Sequence, residues 1–406
     1  MANARRVKVG AEELLAGRGT PKTTESFALI TNHTAVVGEF RWLVYELRNG
    51  ERLRLKLLLA PGHGLYGDRD GEVDGMMVDE KTGLTVLKLG SYIRNGLAAC
   101  PKEVSLDAII WDVQDAGVRH FTFWIEMVRA MQRAARDGLT FIVLDRPNPL
   151  GGEAFDGPTV DESFRGYLYG LKPPIPIRHG LTMGEMCLMM NHLLKVQCDL
   201  KIVKMKGWKR KMLFAETGLP WVPLTPNLPT ADTLSVYPGT SLLEGTNVSE
   251  GRGTTRPFET VGAPWVKAHE MAEALNAKEM KGVVFRPAHF IPMLHPHFPM
   301  STKHASERCG GVQVHVLDAG EFEPVRTGLE IISFLKTRYD GEFQWDSSHY
   351  FRDAPVPDGV FYFDTLVGTP KVREWLEAGR TVDEIVVSWK EDLRKYSRRR
   401  ADYLLY

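Results

Sequence analysis

The sequence predicts an α/β protein, a doubly wound parallel sheet followed by a smaller α+β part, on three observations. Short apolar runs alternate with helix-like spans through the first half of the chain. The polar residues of that half fall where the apolar runs end. After a proline-laden passage at Pro220–Thr230 the alternation stops, and strands and helices come grouped. A chain of 406 residues has room for two domains, each with its own core. The change of character sets their expected limits at 1–233 and 234–406.

Phe27–Thr31 (FALIT) is the first strand and Arg41–Leu47 the helix after it. Leu53–Ala60 is a second strand, ended by the turn Pro61-Gly62-His63-Gly64. Thr85–Leu89 and Ala108–Val113 follow as strands. Phe121–Arg136 reads as an amphipathic helix closed by Asp137-Gly138. Thr140–Leu144 is the next strand and ends at Asp145. Gly151–Gly180, rich in proline and glycine, is expected to run over the sheet. Thr182–Val196 is a methionine-rich core helix, and Leu200–Met205 the last strand of this half. Further on, His269–Lys278 is a helix, Val283–Phe290 and Val312–Leu317 are strands, Pro324–Tyr339 is a helix, and Val382–Tyr403 is one long terminal helix.

In doubly wound sheets the ligand sits beyond the carboxyl ends of the strands. Asn32 and Thr34, His63 and Asp68, Asp112 to Asp115, and Asp145-Arg146 occupy those ends. No GxGxxG follows a strand, so the expectation is a Rossmann-like fold without a dinucleotide.

Composition narrows the partners. Lysine plus arginine equals aspartate plus glutamate, 51 each, so the formal net charge is zero. That balance argues against nucleic acid or an anionic membrane surface as the main partner. The basic clusters at Lys206–Lys211 and Arg394–Arg400 read as solvated faces. Cys100, Cys187, Cys198 and Cys309 include no CxxC pair, so neither a zinc knuckle nor a redox motif is written here. Cys187, in an apolar helical run, reads as a small core residue. The start, MANARRVKVGAEELLAG, has no long apolar core of a signal peptide. No segment reaches the roughly 18 uninterrupted apolar residues of a membrane span. The expected location is cytoplasmic for the chain as written, or secreted or periplasmic if a leader has been removed.

The segment Tyr237–Glu259, YPGTSLLEGTNVSEGRGTTRPFE, is the most distinctive in the chain. Tyr237-Pro238 reads as a turn, and Gly239, Gly245, Gly251 and Gly253 free the backbone after it. Glu244, Asn247, Ser249, Glu250, Arg252 and Arg256 are expected to be displayed to a polar ligand bearing hydroxyls and an anionic group. The competing reading is a solvated surface loop.

Several segments occur together in one order: TNHT (31–34), PGHGLYGD (61–68), DVQDAGVRHFTF (112–123), LDRPNPLGG (144–152), IRHGLTMGE (177–185), PNLPT (226–230), the 237–259 segment, GAPW (262–265), CGGVQVHV (309–316) and YLLY (403–406). Over essentially the whole chain they resemble the NamZ-like exo-β-N-acetylmuramidase family of bacteria, glycoside hydrolase family 171. The resemblance implies a Rossmann-like N-terminal domain, a C-terminal auxiliary domain and a cleft between them. It implies removal of terminal β-linked N-acetylmuramic acid from peptidoglycan fragments, as in cell-wall recycling, without a cofactor. One departure bears on the chemistry. The family motif reads Pro-Glu-His-Gly where this chain has Pro61-Gly62-His63-Gly64, and that glutamate is a leading candidate for the family's catalytic acid. Glu72 matches a second acidic position of the motif and remains. A milder departure is His120-Phe121-Thr122-Phe123, where the family has an aromatic-Tyr-Thr-Tyr run.

Cleaving a glycosidic bond needs a proton donor at the leaving oxygen and stabilisation of a cationic transition state. With Gly62 in the motif, Glu72 is the first candidate for the acid, then Glu250 and Glu244. The 2-acetamido group of the sugar is a potential internal nucleophile, which Asp112 or Asp115 would orient. The lactyl carboxylate calls for a cation, and a guanidinium fork suits it. Arg252 and Arg256 are the first choices, Arg119 and Arg146 the alternatives. His63 and His179 are candidates for binding hydroxyls or for acid–base work, and Asn32 and Asn227 for binding the sugar. Asp112, Asp115 and His120 lack a distinctive ligand spacing, so no metal is expected. A competing reading is a muramyl-glycan binding protein with weakened catalysis, kept for recognition after loss of the acid at position 62. A nucleotide-linked oxidoreductase fits poorly, because the phosphate-cradling glycines are missing.

Overall fold

The structure, a computed structural model, describes residues 6–19, 26–49, 53–68, 76–161, 164, 174–294, 302–347 and 359–406. After the short helix α1 (Gly10–Leu15), the strand β1 (Ser26–Thr31) is buried at every residue except Ser26, as a strand covered on both faces must be. A small hairpin of β2 (Val36–Val37) and β3 (Arg41–Trp42) leads into α2 (Leu43–Asn49). Then come β4 (Arg54–Ala60), β5 (Met77–Val78), β6 (Thr85–Lys88), α3 (Leu89–Asn95), β7 (Ala108–Asp112), α4 (Phe123–Arg136), β8 (Thr140–Leu144), α5 (Met183–Leu193) and β9 (Leu200–Val203). They form one seven-stranded sheet in the order β5-β6-β4-β1-β7-β8-β9. All its pairings are parallel except β5 on β6.

The order locates the site. From β1 the chain winds outward through β4 to β6, then returns to the other side of β1 and winds outward again through β7, β8 and β9. The direction reverses between β1 and β7, where Thr31 lies opposite Asp112. Neighbouring connections there leave on opposite faces, so a crevice opens beyond the carboxyl ends of those two strands.

The C-terminal part begins with α6 (Ala231–Thr240). A three-stranded antiparallel sheet follows, β10 (Thr260–Ala263), β12 (Cys309–Val316) and β11 (Val283–Phe290) in that order, with α7 (Ala268–Asn276) between β10 and β11 in the chain. It closes with α8 (Pro324–Arg338), α9 (Tyr362–Val367), α10 (Lys371–Glu377), α11 (Val382–Ser388) and α12 (Lys390–Ala401). α6 and α8 cross backbone against backbone. A Cβ on Gly239 would stand 1.8 Å from Pro324 O, and one on Gly328 2.2 Å from Gly239 O. The hydrophobic core is continuous across the two parts, joining Trp111 and Phe141 of the large sheet to Leu234 and Tyr237 of α6 and to Val312 and Ile332 beyond.

Several sequence expectations need correction. Tyr237-Pro238 is not a turn but lies inside α6. Pro238 falls near the end of that helix, where the lost N–H costs a single bond before the helix stops. The span Val382–Tyr403 is two helices, broken at Trp389, whose indole is buried and whose backbone leaves helical geometry at φ −101°, ψ 1°. Residues 41 and 42 belong to the hairpin, and the helix starts at Leu43. The basic clusters are not wholly solvated faces. Arg210 and Arg400 turn inward and both donate to the carbonyls of Gly152 and Gly180. Arg400 also lies 4.1 Å over the Phe155 ring. All four cysteines are free and buried. Among the described residues no helix is long and apolar enough to cross a membrane.

Candidate functional site

Asn32 follows β1 directly and is fully buried. Its Oδ1 accepts from the Thr34 backbone N–H at 3.0 Å and from the Thr34 hydroxyl at 2.6 Å, which turns the chain away from the sheet. Its Nδ2 has no partner among the described residues.

β7 ends in Asp112, which Arg146 grips with Nε at 2.6 Å and Nη2 at 2.9 Å. Burial pushes the Asp112 carboxyl upward and the Arg146 guanidinium opposes that shift. Nη2 of Arg146 also donates to Val36 O at 3.2 Å. Arg146 therefore ties the ends of β7 and β8 to the hairpin. It also lines an open recess of about 390 Å³ beside Thr34, Gln114 and Trp221.

Asp115 lies three residues further on. Its Oδ2 accepts from Gly117 N at 2.7 Å, while its Oδ1 is buried without a hydrogen-bond partner among the described residues. His179 Nε2 stands 3.6 Å from Oδ2, and it too is buried without a hydrogen-bond partner among the described residues. Leu181 N donates to His179 Nδ1 at 3.2 Å. That donor assigns the lone pair to Nδ1 and the proton of the neutral ring to Nε2. A buried polar atom left unpaired costs about 1–3 kcal/mol. Three of them, on Asn32, Asp115 and His179, lie at the ends of two adjacent strands and in the loop beside them, where water or a polar ligand can satisfy them.

His120 adds a fourth. Ser241 Oγ gives its proton to Tyr237 O, so it accepts from His120 Nε2 at 2.7 Å. Nδ1 of His120 is left as an acceptor without a hydrogen-bond partner among the described residues. Burial first, and then the neighbouring Arg119, hold this imidazole down to about 3, so it is neutral in the physiological range. The Tyr237 ring meets it edge-on at 5.4 Å, and Phe258 packs on the same tyrosine at 4.8 Å.

The turn after β4 completes this edge. His63 takes a positive φ of 69° and its ring meets Phe123 at 6.0 Å. Gly62 N donates to both carboxyl oxygens of Glu126, at 3.3 and 3.1 Å. Glu126 belongs to the first turn of α4 and is partly buried. Desolvation raises it to about 7, against the Gly62 N–H and the charges of Arg129 and Lys88. It lines an open recess of about 410 Å³ with Pro61, Gly62, Gly64 and Lys88. Sequence reading missed Glu126 because a first-turn acid is an ordinary helix feature. The available signal was its neighbours, since Phe123, Trp124, Ile125 and Met127 place that carboxyl among buried apolar groups.

The 237–259 segment behaves in the opposite way and corrects the expectation of a display. Glu250 is buried, with Arg252 Nε at 3.2 Å and Lys303 Nζ at 3.0 Å. Lys303 also donates to the carbonyls of Leu243, Glu244 and Val248. Glu244 accepts from Arg252 Nη2 at 2.6 Å and from the Tyr362 hydroxyl at 3.2 Å. Arg252 lies 5.1 Å over Phe258. Asn247 spends its side chain on Glu342 O at 2.8 Å and Gln344 N at 2.9 Å. Arg256 pairs with Glu259 at 3.2 Å and keeps half its side chain exposed. Apart from the exposed turn around Arg256, the segment is an internal brace, because acids and bases at close spacing satisfy one another once buried.

Arg119 also departs from its expected role. Its Nη1 donates to Pro158 O and Ile175 O, and its Nη2 to Leu366 O and Val367 O, at 2.6 to 2.9 Å. This fully buried guanidinium joins the loop after β7 to α9 and is not placed to meet a substrate carboxylate. Asn227 lies in the tight turn from Thr225 to Leu228, its N–H donating to Thr225 Oγ1 at 3.3 Å. Glu72 lies outside the described residues. Among the described residues no three His, Cys, Asp or Glu side chains cluster to hold a metal.

Comparison with known proteins agrees along the whole chain. Residues 27–232 match the family model described as exo-beta-N-acetylmuramidase NamZ, N-terminal, and residues 235–406 match its C-terminal counterpart. The peptidoglycan beta-N-acetylmuramidase NamZ of Bacillus subtilis (strain 168) is 38% identical over 402 residues, covering 99% of this chain and 92% of that protein. Two crystal structures of DUF1343 family proteins from Bacteroides fragilis NCTC 9343 share the fold. One superposes with a TM-score of 0.84 at 31% identity, covering 99% of both chains. The other has a TM-score of 0.70 at 30% identity, covering 98% of this chain and 99% of its own.

Proposed function

The chain belongs to the exo-β-N-acetylmuramidase NamZ family, and we propose that it is a glycoside hydrolase that removes terminal β-linked N-acetylmuramic acid from peptidoglycan fragments. The observation that carries this reading is the set of unspent buried polar atoms at the winding reversal of the sheet: Asn32 Nδ2, Asp115 Oδ1 and His179 Nε2–H. Two donors and one anionic acceptor suit a sugar that offers hydroxyls and an amide.

In this reading Asp115 Oδ1 accepts the N–H of the 2-acetamido group. That contact fixes the amide plane, and a plane so fixed turns the amide oxygen toward the anomeric carbon. Asn32 and His179 donate to sugar oxygens, and His120 Nδ1 accepts from a hydroxyl. Asp112 acts at one remove, holding Arg146 at the edge of the neighbouring recess. Glu250 and Glu244 are engaged by cations and are poorly placed to deliver a proton. Of the four arginines singled out in the sequence, Arg256 has the room to take a lactyl carboxylate, since half its side chain is exposed. The reading as a muramyl-glycan binding protein started from Gly62 alone, and no observation favours it.

The test is release of chromophore from a chromogenic β-N-acetylmuramide by the purified protein, with the matching N-acetylglucosaminide as control. Selective hydrolysis of the muramide is expected. A folded protein that cleaves neither compound would sink the reading.

A further inference from the structure

Gly62 and Glu126 meet across the recess at the carboxyl end of β4. A Cβ built on Gly62 would lie 3.2 Å from Glu126 Oε1, tighter than ordinary contact. Any larger side chain at position 62 would contend with that carboxyl for the same space. Glycine leaves the space open, and its N–H points at the carboxyl oxygens. The carboxyl has no arginine or lysine within salt-bridge distance among the described contacts, in contrast to Asp112, Glu244 and Glu250. Around it stand Lys88 at the end of β6, Arg129 on its own helix, and the His63 ring, which packs on Phe123 one helical turn earlier.

Resting on the hydrolase reading above, we propose that Glu126 is the general acid of this enzyme, presented from helix α4 through the gap left by Gly62. In the step, the bond from the anomeric carbon to the glycosidic oxygen breaks and its electron pair goes to that oxygen. The oxygen takes the proton of the Glu126 carboxyl and leaves as an alcohol. Water then supplies hydroxide to the anomeric carbon, and its remaining proton restores the carboxylic acid, directly or through solvent. The environment suits the task, because a donor that titrates near neutral pH is still protonated at working pH and gives its proton up readily.

The test compares two substrates, an N-acetylmuramyl-N-acetylglucosamine disaccharide and a 4-nitrophenyl β-N-acetylmuramide. A sugar alkoxide needs a proton in order to leave, whereas nitrophenolate scarcely does. Glu126→Gln is expected to cut kcat on the disaccharide by about 10²–10⁴-fold, with a far smaller loss on the nitrophenyl compound. Wild-type disaccharide hydrolysis is expected to fall above about pH 7, and that fall should disappear in Glu126→Gln. Equal losses on both substrates, or an unchanged alkaline limb, would overturn the proposal. Should Glu126→Gln fail to fold, Glu126→Asp keeps a carboxyl at shorter reach and must still lower the disaccharide-to-nitrophenyl ratio. The wild-type pH profile needs no variant, and an alkaline limb shared equally by both substrates counts against Glu126. If the wild-type enzyme cleaves neither substrate, the hydrolase reading falls and this proposal with it. If it cleaves both while Glu126→Gln stays fully active, this proposal alone falls.

Discussion

The carboxyl edge of the seven-stranded sheet and the segment 237–259 are both dense in polar side chains, and they spend them differently. At the edge, Asn32, Asp115, His120 and His179 each keep one buried atom without a hydrogen-bond partner among the described residues. In the segment, Glu244, Glu250, Arg252 and Arg256 pair with one another or with Lys303, Tyr362 and Glu259. Polar density alone therefore does not separate a binding site from an internal brace. What separates them is the count of donors and acceptors left over once the chain has satisfied itself.

The difference can be broken or sharpened by substitution. The largest effect is expected at the edge. Asp115→Asn should lower kcat on a muramyl disaccharide by about 10²–10³-fold, the scale of losing one preorganised polar contact to the reacting group. Its melting temperature should stay close to wild type, because an amide oxygen still accepts from Gly117 N. Steady-state kinetics with thermal unfolding checks both halves, and a large fall in stability would place Asp115 with the brace. Glu250→Gln should do the reverse. It strips the charge partner from Arg252 and Lys303 in a buried setting, at a cost on the order of 3 kcal/mol. Chemical denaturation should show that loss, while the folded fraction keeps near-normal kcat.

A smaller, pH-dependent effect tests the satisfied member of the same edge. Asp145 accepts from Thr182 Oγ1 at 2.7 Å, Gly184 N at 2.8 Å and the Tyr406 hydroxyl at 2.9 Å. Burial raises it from 3.8 to about 7. A carboxyl raised in the fold binds its proton more tightly there than in the unfolded chain. Its contribution to stability is full below about 4 and is lost as pH rises through about 7. Asp145→Asn should flatten the wild-type decline in melting temperature across that window. An unchanged decline would assign it to another group, Glu126 first, since it is raised to about the same value.

Much of the large sheet was legible in the chain. Phe27–Thr31, Ala108–Val113 and Thr140–Leu144 are mostly apolar, with Thr31, Asp112 and Thr140 near their ends, because a central parallel strand is covered on both faces, and they match β1, β7 and β8 within a residue. The winding reversal was less accessible. Which strand lies beside which is set by crossovers between distant segments, and apolar pattern does not encode it. α6 escaped notice because it has little amphipathic contrast and carries a proline, yet it is held by the close crossing of Gly239 against Gly328.

The site divides along the same line. That Asn32, Asp112, Asp115 and His63 stand at strand ends follows from local pattern, since a strand stops where its apolar run stops. The family resemblance, and not residue type or spacing, implied a sugar ligand and an acid missing at Gly62. Tertiary structure alone decided that Arg119 is a strut, that Arg252 and Glu250 face each other, and that the carboxyl accepting from Gly62 N comes from Glu126, 64 positions along the chain. A buried polar group is defined by its partners, and those partners are brought to it by the fold from parts of the chain that no local spacing connects.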